Sequence, residues 1–200
     1  MTADRLAQAM AAIDAANAED PVRVVVGGAE RPKELAHADV VERWVRKLDP
    51  AATDAQLLAA RAHHLRRWVV PRSDYPEGRS GYLRWRADHK RRQATEVAEL
   101  LFGADYDQAT IDDVADLVAK KGLGRVPAVQ THEDALCLAF LELQLDELAD
   151  RLGDEHTVEV VTKTIAKMSP GGLAAAASLT LTARGRTLLA AALAGRDQGG

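Results

Sequence analysis

Apolar residues recur at helical spacing along most of this chain. Residues 3–16 place Leu6, Met10 and Ile13 on one face, which predicts an amphipathic helix ended by residues 17–21. Residues 23–28, RVVVGG, form a β-branched run stopped by two glycines, either an edge strand or an extended loop, with no evident partner strand. Pro32 suits the first turn of a second helix that runs to about Leu48 and stops at Leu48-Asp49-Pro50. Thr53 or Asp54 can cap a third helix reaching about Trp68. Residues 71–81 form a Pro/Gly/Ser loop, and residues 82–102 a long helix. Thr110 or Asp112 opens a short helix to about Lys121, and residues 124–130 form a loop holding Pro127. Thr131 then caps a helix to Arg151 with Glu133 and Asp134 in its first turn. A further helix to Met168 is broken by Ser169-Pro170-Gly171-Gly172, and an Ala-rich helix or helix pair runs to about Ala194, suited to the domain's own core or to a dimer seam. The pattern predicts an all-α fold, one helical bundle of about seven to nine helices over residues 1–194, with a disordered tail at 195–200.

Composition agrees. Ala and Leu dominate a chain of 200 residues, and both are strong helix formers. The net charge of −4 argues against an undirected nucleic-acid or membrane binder. The charge is unevenly placed. Residues 61–92 hold nine Arg and one Lys against three acids, a net +7, so the remainder carries −11. A basic island in an acidic chain concentrates anions locally, although a solvated helix face is the plainer account of any one arginine. The single cysteine, Cys137, permits no internal disulfide, reads as a small buried hydrophobe and fits a reducing, cytoplasmic setting. No secretory h-region and no apolar run of membrane-spanning length is present, so no membrane partner is expected.

Candidate chemistry centres on residues 57–68, LLAARAHHLRRW, where His63 and His64 end an apolar helix beside Arg66 and Arg67. Adjacent helical residues diverge by about 100°, yet near a helix end both imidazoles can reach one point. His37 shares a stripe with Val41, Trp44 and Leu48, and so faces the core. A core histidine with both nitrogens satisfied is the alternative there. Both Glu133 and Asp134 lead into apolar surface, where a carboxylate needs a cation. Arg61, Arg66, Arg67, Arg72, Arg79, Arg86 and Lys90 are candidate anion contacts. Tyr82, Trp85 and Arg86 can stack a base or sugar, or simply pack. His89 is expected on an exposed face and His132 at a helix cap. Nucleotide-binding loops, CxxC pairs and HExxH are absent.

The order His37, His63-His64, Asp134, at separations of 26 and 70 residues, resembles the HD-domain superfamily of metal-dependent phosphohydrolases, with His64 in the usual Asp position. Over longer pieces (AIDAANAEDP, PKELAHAD, ARAHHLRRW, PRSDYPEGRSGYLRWR, EDALCLAFLE, KTIAKMS) the chain resembles a bacterial and fungal family described only as a domain of unknown function. The superfamily resemblance implies an HD-like bundle and a metal bound by His37, His63, His64 and Asp134. It also implies Glu133 as orienter or general base, and arginines, Arg67 among them, on the phosphate. Histidine in place of aspartate favours a transition metal (Zn, Fe, Mn, Co or Ni) over magnesium, or removes the metal altogether. The expected activity is hydrolysis of a small phosphorylated metabolite or nucleotide. The alternatives are a metal-dependent oxygenase and a non-enzymatic module binding an anion or RNA through the basic island, with structural histidines.

Overall fold

The computed structural model describes residues 2–26 and 28–197. Its ten α-helices and one two-stranded sheet make an all-α fold, with more helices than the seven to nine expected. The elements are α1 (Thr2–Ala18), β1 (Arg23–Val26), β2 (Ala29–Pro32), α2 (Lys33–Leu48), α3 (Asp54–Ala62), α4 (Gly78–Gly103), α5 (Gln108–Val118), α6 (Pro127–Leu143), α7 (Leu145–Leu152), α8 (Asp154–Ile165), α9 (Pro170–Ala176) and α10 (Ala183–Asp197). Short 3-10 turns at Arg67–Val69 and Arg72–Asp74 lie between α3 and α4.

Three departures from the expected elements matter for the site. The run RVVV does have a partner: β1 pairs antiparallel with β2, Arg23 opposite Pro32, and Pro32 is then the N-cap residue of α2. The third helix stops at Ala62 rather than near Trp68, which leaves His63 at its C-cap and His64 in the turn beyond. The helix expected from Thr131 to Arg151 is two helices. It starts earlier, with Pro127 at the first position, where a missing N–H costs nothing. It is interrupted at Gln144, whose ψ of −5° leaves the helical basin. The extra turn places His132, Glu133 and Asp134 inside the helix, not at its cap, and all three are buried.

The apolar stripes fill two clusters. One joins α2, α6, α8 and α10 through residues such as Trp44, Leu138, Ile165 and Leu188. The other joins α1, α3, α4 and α5 through Ile13, Leu58, Leu101 and Val114. The Ala-rich C-terminal helix therefore serves the domain's own core with Leu188, Leu189 and Ala192. It continues to Asp197, so the start of the expected tail is helical, and residues 198–200 lie outside the described residues. Helix α3 contributes to both clusters: Leu57 and Ala60 on one side, Ala55, Leu58, Ala59 and Ala62 on the other. Its alanines let neighbours approach closely from both directions, so the chain leaving α3 emerges where the two clusters meet. No helix among the described residues is long and apolar enough to cross a membrane.

Candidate metal and anion site

Four histidines converge where α3 ends. His37 comes from α2, His63 and His64 from the α3 terminus, and His132 from α6. Their rings form a chain: His37 stacks on His64 with centroids 4.3 Å apart and planes 18° apart. His64 lies 4.7 Å from His63, and His63 meets His132 edge-on at 5.2 Å. His63 Nδ1 lies 3.4 Å from His132 Nε2.

Local interactions hold the histidine turn. A reciprocal capping box of Thr53 and Gln56 starts α3. Past its end, Arg66 takes a left-handed conformation (φ 46°), unusual for a residue with a side chain. The buried Asn17 side-chain Oδ1 accepts the Arg66 N–H at 3.2 Å, and Arg92 donates to the Arg66 carbonyl at 2.6 Å. The backbone strain thus sits beside the histidines and is held by α1 and α4.

Glu34 completes the cluster. Its Oε2 lies 2.8 Å from His64 Nδ1, and Arg67 Nη1 lies 2.5 Å from His64 Nε2. Glu34, His37 and His64 each offer a ligand atom, all within 4.8 Å of one another. Two imidazoles and a carboxylate are a donor set that borderline transition metals accept, at 2.0–2.2 Å from each ligand for zinc. Ligand atoms about 2.1 Å from one ion stand at most about 4.2 Å apart, so the side chains would draw together for such a group to fit. Burial pushes His37 down to about 4 and His132 down to about 3, with His63 and His64 also well below the ordinary histidine range. All four are therefore neutral near pH 7, the state a ligand requires. Burial raises the Glu34 carboxyl, against the pull of nearby cations.

Glu34 is fixed through its backbone. Buried Asp20 accepts the Glu34 N–H at 2.9 Å and the Val22 N–H at 2.9 Å, tying the hairpin to the start of α2. Glu34 was not among the sequence candidates, because an acid in a helix first turn is ordinary. The signal was available: Glu34 and His37 stand three apart, on one helix face.

A solvent-open cleft with an empty volume of about 540 Å³ adjoins the histidines. His63 and His64 form part of its wall. Arg67, Arg86, Lys90 and Lys120 supply four cations, and no carboxylate lines it among the described residues. Tyr82 and Trp85 provide an aromatic side, with Arg67 over the Trp85 ring at 5.3 Å and Arg86 over Tyr82 at 5.7 Å. His89, expected on an exposed face, is buried in this wall and donates from Nε2 to the Val70 carbonyl, which Trp85 Nε1 also reaches.

The other sequence candidates are engaged elsewhere. Of the four expected ligands, His63 and Asp134 lie outside the Glu34–His37–His64 group, and Asp134 is held elsewhere. Its Oδ1 accepts from Ser169 N at 2.9 Å and Gln130 Nε2 at 3.0 Å, and its Oδ2 accepts from the Ser169 hydroxyl at 2.5 Å. Buried Glu133 pairs with Lys120 and, at 3.9 Å, with Lys167, so it positions a cleft lysine. Arg61 is mostly buried between Asp14, Asp39 and Glu42. Arg66 faces Glu19, and Arg72 donates to the carbonyls of Tyr75 and Pro76, closing its own loop. Arg79 is exposed and outside the cleft lining. Of the expected anion contacts, Arg67, Arg86 and Lys90 are brought together, with the expected stacking residue Tyr82 beside them; Lys120 joins them without having been anticipated.

The family described as Domain of unknown function (DUF4202) matches residues 7–189. The chain belongs to this family. No curated protein and no solved structure matches it. Membership therefore establishes kinship across nearly the whole chain.

Proposed function

We propose that this DUF4202 protein is a metal-dependent phosphohydrolase for a small phosphorylated molecule, with Glu34, His37 and His64 as the metal-holding group. One observation carries it: His64 belongs both to that group and to the wall of a four-cation cleft without carboxylates. A divalent metal held there would lower the pKa of a bound water and polarise a phosphoryl oxygen. Lys90, Lys120 and Arg86 bind the phosphate oxygens, and Arg suits bidentate contact. Glu133 holds Lys120 in place. His63, neutral and set beside His132 through Nδ1, lines the cleft as a hydrogen-bonding wall for the ligand. Water adds to phosphorus, the P–O bond to the leaving group breaks, and the departing alkoxide takes a proton, giving an alcohol and inorganic phosphate without redox change.

The test is phosphate release from p-nitrophenyl phosphate and from simple alkyl phosphates by chelator-stripped protein reloaded with Zn²⁺, Mn²⁺, Fe²⁺, Co²⁺ or Ni²⁺. Activity is expected only on reloading, and His37→Ala and Glu34→Gln should each lose bound metal and at least 100-fold in kcat/KM. Equal turnover with and without metal, or variants indistinguishable from wild type, would refute the assignment.

A second, non-enzymatic reading is favoured by the fact that both His64 nitrogens already have partners within the protein. A metal-free anion- or RNA-binding module would bind polyanions in chelator, with steep salt dependence and no turnover.

A further inference from the structure

His64 sits between an acceptor and a donor. A neutral imidazole has one N–H and one lone pair, and a guanidinium only donates. Since Arg67 Nη1 approaches Nε2 at 2.5 Å and Glu34 Oε2 approaches Nδ1 at 2.8 Å, the hydrogen is on Nδ1 and the lone pair on Nε2. A metal ion would need that same lone pair. If it bound Nε2 it would displace Arg67 directly. If it bound Nδ1, the hydrogen would move to Nε2 and face Arg67 donor to donor. Either way, metal ligation by His64 and its hydrogen bond to Arg67 exclude each other.

Resting on the metal assignment above, we infer that Arg67 is a two-position residue: it closes His64 in the metal-free protein and turns its guanidinium to an anion in the cleft once metal is held. Its surroundings suit both positions. Arg67 already lines the cleft with Arg86, Lys90 and Lys120, and the Trp85 ring beneath it supports the guanidinium while its hydrogen-bond partner changes. The charge of the ion repels Arg67 in the same direction. Metal and anion therefore bind cooperatively, and the coupling is reciprocal: an anion that draws Arg67 away frees the His64 lone pair and tightens metal binding.

The experiment is calorimetric titration of chelator-stripped protein with Zn²⁺, with and without sulfate, an anion that is not hydrolysed. Wild type, Arg67→Met and Arg86→Met are compared, with helicity measured by circular dichroism for each. Sulfate is expected to tighten zinc binding to wild type by about tenfold, within the usual span of coupling. Arg67→Met should bind zinc more tightly than wild type without sulfate and show little further gain with it. Arg86→Met removes the same charge without touching His64, so it should bind sulfate more weakly yet keep the coupling. Coupling that persists in Arg67→Met, or that falls equally in both variants, overturns the inference and leaves the metal assignment standing. Zinc binding by wild type without any sulfate effect does the same. Failure of wild type to bind zinc overturns both.

Discussion

At the scale of single residues, Asp134 separates structural from chemical roles most sharply. It is 3% exposed, and its carboxylate caps the entry to α9 through Ser169 while bonding Gln130. Asp134→Ala is expected to lower unfolding free energy by about 1–2 kcal/mol, since it leaves part-buried donors without their acceptor, and to leave the metal content per folded chain unchanged. Loss of metal without loss of stability would return Asp134 to the ligand set. Gly172 packs against the same carboxylate, and a Cβ there would meet Asp134 Cγ at 2.6 Å. With the side chain pinned by three hydrogen bonds, Gly172→Ala should destabilise by a similar amount, readable in urea denaturation. His37, His63 and His64 were legible because an apolar helix made each a conspicuous polar intruder, whereas His132, expected at a helix cap, was not. The carboxylates were not. In the sequence Asp134 and Glu34 both read as acids near helix starts, and which of them meets a core histidine depends on how α2 and α6 pack, a long-range fact no local pattern carries.

Among the elements, the α3 terminus decides the site. Its helical part was legible, since Leu57, Leu58 and the alanines leave little but a buried helix. Its end was not, because the pattern LLAARAHHLRRW stays helical in periodicity through Trp68 while the backbone turns at Arg66. The turn is imposed by Asn17 of α1 and Arg92 of α4, partners 49 and 26 positions away. The pairing of β1 with the segment AERP is instead local, a hairpin with Val26 opposite Ala29. Asn17→Ala should therefore cost about 1–3 kcal/mol and weaken zinc binding, with helix content by circular dichroism nearly unchanged. Zinc affinity equal to wild type would show that the histidine turn holds its geometry without α1. By contrast Leu58→Ala, at the centre of α3 and fully buried, should cost about 2–5 kcal/mol through the cavity it leaves.

Taken whole, the molecule places a chain of neutral imidazoles where its two apolar clusters meet, with His37 and His132 buried and His63 and His64 half-buried at the cleft wall, and that sets its response to acid. A histidine whose folded pKa lies below its unfolded value of 6.5 binds fewer protons in the native state as pH falls. Its contribution is fully present above pH 6.5 and is lost as pH drops toward the folded value, about 4 for His37 and about 3 for His132. His63 and His64 act in the same direction. Glu34 acts oppositely: its raised carboxyl makes the native state bind more protons above 4.5, so on its own it would add stability as pH falls toward that value. Four groups against one leave a net loss. The metal-free protein should thus lose stability between pH 6.5 and 4, with His132 alone accounting for on the order of 3 kcal/mol at 1.36 kcal/mol per pKa unit. Urea unfolding in chelator at pH 7.5, 6.0 and 5.0 measures the slope, and His132→Gln should flatten it. A slope unchanged in that variant would mean that water reaches His132 in the native state. Bound metal should shift the loss to lower pH, because protons then compete with the ion for His37 and His64. The difference between the chelated and loaded profiles is a measure of metal binding that needs no substrate.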